Sequence, residues 1–76
     1  MRDSFKQLIE VCLDVKVYFS TSSFQMDYYE DGAFCSFQIN KMFDPKGLLR
    51  LCQGLDVRMY GGETGVIVRI YENYEE

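Results

Sequence analysis

Residues 24–40 constrain the fold more than any other stretch, because two alternating arms flank an Asp31-Gly32 pair and read together as one antiparallel β-hairpin. A type I′ turn needs positive φ at both central residues, which favours Asp then Gly, and with that pair at the turn the register follows. Tyr29 then faces Phe34, Tyr28 faces Cys35, Met26 faces Phe37 and Phe24 faces Ile39. The apolar pairs Tyr28/Cys35, Met26/Phe37 and Phe24/Ile39 share one face, as a half-buried pair requires, and a slip of one residue would scramble that agreement.

Residues 1–13 predict a helix with Ser4 as N-cap, Gln7 completing a capping box, and Phe5, Leu8, Ile9 and Cys12 as the buried stripe. Asp14 is expected to end it. Residues 15–20 then alternate, Val15, Val17 and Phe19 against Lys16, Tyr18 and Ser20, and predict a strand that leads into the hairpin through the polar run 20–23.

The clearest helix start is Asp44-Pro45, an N-cap followed by a proline whose missing N–H costs nothing at the first helical position. The second helix is read over 45–53, with Phe43 placed to staple onto Leu48 and Gly54 at a left-handed C-cap. Residues 55–60 and 65–71 form a second hairpin around 61–64, in which Met59 faces Val66, Val57 faces Val68, Leu55 faces Ile70 and Asp56 faces Arg69. The fold prediction is a single α+β domain over 1–76, α-β-β-β-α-β-β, with two helices packed on one face of a mainly antiparallel sheet.

The chain offers little for catalysis. Its 76 residues include no His, which removes the commonest general base and metal ligand. Gly61, Gly62 and Gly65 precede a strand, whereas phosphate loops of the common kinds lead into a helix. The carboxylates at the first hairpin's tip match no calcium loop. Cys12, Cys35 and Cys52 are odd in number and widely spaced, fitting neither a disulfide framework nor a zinc site, and are read as buried free thiols in a reducing compartment. No enzyme, metal or cofactor is expected. The longest apolar runs are too short to span a membrane and no secretory leader opens the chain, so a cytoplasmic protein is the simplest reading.

The sheet face turned away from the helices is expected to carry Lys16, Tyr18, Gln25, Asp27, Tyr29, Phe34, Gln38, Asp56, Arg58, Tyr60, Ile67, Arg69 and Tyr71, a large ring surface for a face left to water. Tyr and Arg are enriched at the energetic centres of protein interfaces. A net charge of −4 argues against direct nucleic-acid binding, which needs a basic field. Negative charge gathers in residues 1–40 and 60–76, so the expected partner is a larger protein with a basic surface.

A small, acidic, His-free chain with a capped helix (Ser4 to Gln7), a tight Asp31-Gly32 hairpin and an acidic end (Glu72, Glu75, Glu76) resembles in kind the small phage-encoded inhibitors, anti-CRISPR proteins among them. The resemblance implies a protein that blocks a nucleic-acid-handling complex, in some cases by imitating DNA. The partner-binding residues expected here are Asp27, Tyr29, Glu30, Asp31, Phe34, Tyr60, Tyr71, Glu72, Glu75 and Glu76. Two further readings are a self-associating domain that dimerises through its tyrosine-rich face and an immunity- or antitoxin-type binding protein.

Overall fold

A computed structural model describes residues 3–20, 24–29, 32–39, 44–52, 54–61 and 65–73. The elements are α1 (Asp3–Tyr18), β1 (Gln25–Tyr29), β2 (Gly32–Ile39), α2 (Pro45–Leu51), β3 (Asp56–Gly61) and β4 (Val66–Tyr71). The four strands form one antiparallel sheet in the order β1-β2-β4-β3. The α+β class and the helical layer hold, with one element fewer than the sequence predicts.

The missing element is the expected strand over 15–20, which is helix as far as Tyr18. Leu8, Val11, Cys12 and Val15 are fully buried and recur at i, i+3, i+4 and i+7, so the helical stripe runs on through Val15. Val17, expected inside, is 79% exposed. The short alternation over 15–20 loses to a longer helical period that buries more apolar surface. The helix ends further on, where Ser20 adopts a left-handed φ of 53° and its N–H donates to the Val17 carbonyl at 3.3 Å. Ser4 lies inside the first turn and is not the N-cap.

α2 begins as expected. The Asp44 Oδ1 accepts from the Lys46 N–H at 3.0 Å and Pro45 opens the first turn. Cys52 is the C-cap, and Gly54 takes the left-handed conformation at φ 86°.

Both hairpins are two residues out of the expected register. Tyr29 pairs with Gly32, Tyr28 with Ala33, Asp27 with Phe34 and Met26 with Cys35, so Gly32 belongs to β2 and not to the centre of a turn. In the second hairpin Met59 pairs with Val68, Val57 with Ile70 and Arg58 with Arg69, and the expected Asp56/Arg69 pair is replaced by Asp56 opposite Tyr71. A shift of two residues leaves every side chain on its expected face, because strand side chains alternate with a period of two. The turn residue Asp31, the Phe43 staple and loop positions 62–64 lie outside the described residues.

The core is the inner sheet face against the helices: Ala33, Cys35, Phe37 and Ile39 of β2, Val68 and Ile70 of β4, the α1 stripe, and Leu48, Cys52 and Leu55. Cys12 and Cys35 are joined by a disulfide that pins α1 to β2. This corrects the reading of three free thiols: the helix crosses β2 where both cysteines point inward, a meeting that their spacing in the chain does not reveal. Cys52 is the free, buried thiol. Disulfides persist chiefly in oxidising compartments, so the inference from free thiols to a reducing compartment loses its basis. Among the described residues no helix is long and apolar enough to cross a membrane.

Candidate functional site

The outer sheet face is built in rows, because residues paired across antiparallel strands stand side by side. One row runs Asp27, Phe34, Tyr71, Asp56 from β1 to β3. The next runs Gln25, Ser36, Arg69, Arg58, and a third runs Gln38, Ile67, Tyr60. A carboxylate thus closes each end of the first row, and two arginines are paired across β4 and β3 in the second.

Rings and guanidinium groups interleave between the rows. Phe34 and Tyr71 stack at 5.2 Å between centroids with planes 28° apart. Arg58 lies over the Tyr71 ring at 5.4 Å, and Arg69 lies over Phe34 at 5.4 Å and Tyr60 at 5.1 Å. Hydrogen bonding to Tyr71 holds the Arg69 guanidinium above its ordinary pKa, against the opposing effect of burial, with the fields of Tyr71, Tyr60 and Asp27 adding to it. Its Nε is buried and has no acceptor among the described residues. Arg58 approaches Asp56 at 3.6 Å in a solvent-exposed pair.

Of the residues expected to bind a partner, the structure gathers Asp27, Phe34, Tyr60 and Tyr71 on this face. Tyr60 and Ile67 are its exposed apolar elements, at 43% and 44%. Tyr29 is described through its backbone, paired with Gly32 at the end of β1. Glu30, Asp31, Glu75 and Glu76 lie outside the described residues.

Glu72 corrects its assignment. It is 5% exposed, accepts from the Ala33 N–H at 3.1 Å through Oε1, and accepts from the Ser4 hydroxyl through Oε2. It is therefore tied into the fold and not offered to a partner. Lys16 and Tyr18, expected on the sheet face, belong to α1. The organising role of Arg58 and Arg69 is absent from the expected site, although both share the strand phase of Tyr60 and Tyr71, which is the signal that places them on one face.

A groove beside Arg69, bordered by Gln25, Asp27, Ser36, Gln38 and Ile67, runs along the outer face of β2 and β4. Among the described residues no three His, Cys, Asp or Glu side chains converge to hold a metal ion. Comparison with protein families, with curated proteins and with solved structures finds no match to the chain.

Proposed function

We propose that this chain is a non-enzymatic binding module that docks on a larger protein through the outer face of its sheet, inhibiting that partner by occupying its surface. The observation that carries the reading is the ladder of Phe34, Tyr71, Tyr60, Arg58 and Arg69 on a face that neither helix covers. Rings held in fixed orientations lose little conformational freedom on binding, and guanidinium groups stacked on them are already partly desolvated. The exposed Tyr60 and Ile67 supply the anchors.

The net charge of −4, with Asp3, Glu10, Asp14 and Asp44 exposed, favours a partner whose overall field is positive and speeds the encounter. A polyanion that normally uses that positive surface would be displaced by simple occupancy.

The test compares proteins captured by the immobilised wild-type chain with those captured by an Ile67→Asp/Tyr60→Ala variant of unchanged thermal midpoint. A Leu13→Ser variant on α1 serves as control. A partner retained by wild type and control but lost with the face variant supports the reading; equal capture by all three refutes it. Light scattering over a concentration series separates the alternative, since a dimer abolished by Ile67→Asp would assign the face to a second copy.

A further inference from the structure

We infer that Arg58 and Arg69 form a paired guanidinium seat for a carboxylate side chain of the protein partner. Resting on the outer-face reading, this inference names the group that the centre of that face takes. The two residues are directly opposed across β3 and β4, an arrangement of like charges that a sheet normally avoids. Their positions are fixed from below, Arg69 by the Phe34 and Tyr60 rings and Arg58 by the Tyr71 ring, so the planar forks are set before a ligand arrives.

Neutralisation from within is incomplete. Asp56 reaches Arg58 at 3.6 Å with both side chains 62% exposed, and it stands in the neighbouring row. Asp27 stands at the far end of that row, with β2 between it and β4, and its field is the weakest of those that favour the charged Arg69. A carboxylate laid on the terminal N–H groups of the two guanidinium forks relieves the opposition of charges. The adjoining groove, with exposed Ile67, the polar Gln25, Ser36 and Gln38, and Asp27 on its β1 side, fits an apolar residue next to the acidic one.

Two observations favour a protein carboxylate over a nucleic-acid phosphate. Each of the Phe34, Tyr60 and Tyr71 rings already holds a guanidinium group where a base could stack, and the chain's overall field repels a polyanion.

The test follows the arginine Nε–H resonances of the full-length protein by two-dimensional NMR. The probes are a blocked Gly-Leu-Glu-Gly peptide, its Gly-Leu-Gln-Gly counterpart, inorganic phosphate and a thymidine oligonucleotide. Saturable shifts of Arg58 and Arg69 with the Glu peptide are expected, about tenfold weaker with the Gln peptide and about tenfold weaker for Arg69→Lys, which keeps the charge but loses the fork. Equal response to Glu and Gln peptides, no response, or an equal or stronger response to phosphate or oligonucleotide overturns the assignment. Should it fail while Ile67→Asp/Tyr60→Ala still abolishes partner capture, the outer-face reading stands and only the carboxylate seat falls.

Discussion

The Ser4 hydroxyl donates to the Glu72 carboxylate, joining the first turn of α1 to the residue that follows β4, 68 positions along the chain. The other carboxylate oxygen takes the Ala33 N–H, while the Glu72 N–H donates to the Ala33 carbonyl at 2.8 Å. One buried acidic side chain thus completes the last rung of the β2/β4 ladder and anchors the helix above it. Glu72→Ala leaves the Ala33 N–H and Ser4 hydroxyl without their acceptor and is expected to cost about 2–3 kcal/mol, with Ser4→Ala nearer 1 kcal/mol. Urea unfolding checks both, and a Glu72→Ala midpoint equal to wild type would remove the latch role.

The Cys12–Cys35 disulfide closes a segment with a sequence separation of 23. Chain-entropy reasoning gives such a cross-link about 3 kcal/mol of stabilisation through the unfolded state. Replacing both cysteines by Ala should lower the urea midpoint accordingly without changing the dispersion of the amide spectrum. Thiol titration of unreduced protein in denaturant should find one reactive group, Cys52; three reactive groups would refute the cross-link.

Face assignment within the strands was legible in the sequence and pairing was not, for one physical reason. The hydrophobic pattern repeats every two residues, so Met26 opposite Cys35 satisfies it as well as Met26 opposite Phe37. Only the turn chooses between them, and an Asp-Gly pair is compatible with lying at the turn's centre or at its exit. The Asp44-Pro45 start was readable because its signal is local. Val15 to Ser20 misled because helical and strand periods overlap over a few residues, and the deciding residue, Leu8, lies seven positions upstream. Phe34, Tyr60 and Tyr71 were recognisable as face residues, whereas the Arg58–Arg69 opposition depends on the register itself.

Burial pushes the Cys52 thiol up from its ordinary value of 9.0 to about 11. The folded state then keeps its proton while the unfolded chain loses it, so the contribution is fully present below about pH 9 and is lost as pH rises through about 11. The stability difference between wild type and Cys52→Ala should therefore narrow across that window, by about 2 kcal/mol. A parallel pH dependence of the two proteins, measured by urea unfolding, would exclude the effect.

Gly47 sits in the first turn of α2, where Ala would ordinarily improve the helix by up to about 1 kcal/mol. An added Cβ would come within 3.0 Å of Asp44 Oδ2 and 3.4 Å of the Tyr18 hydroxyl. The N-cap carboxylate must give way, weakening its bond to the Lys46 N–H, so Gly47→Ala alone is expected to change stability by less than about 0.5 kcal/mol. In an Asp44→Ala background the closer contact is gone and the Tyr18 hydroxyl alone remains near, so most of the helical gain should emerge in the same unfolding assay.

The ring and guanidinium ladder has an intrinsic energy that can be measured without any partner. Phe34→Leu keeps most of the apolar bulk but removes the quadrupole on which Arg69 lies and the stacking partner of Tyr71, a loss expected at about 1 kcal/mol. Arg69→Met removes the cation and keeps much of the stem's packing. If the two groups act on each other, the double variant should be less destabilised than the sum of the singles, with a coupling of about 0.5–1 kcal/mol. Additivity in urea unfolding would mean that the rings do not fix the guanidinium groups, and the pre-set geometry on which the carboxylate seat depends would be lost with it.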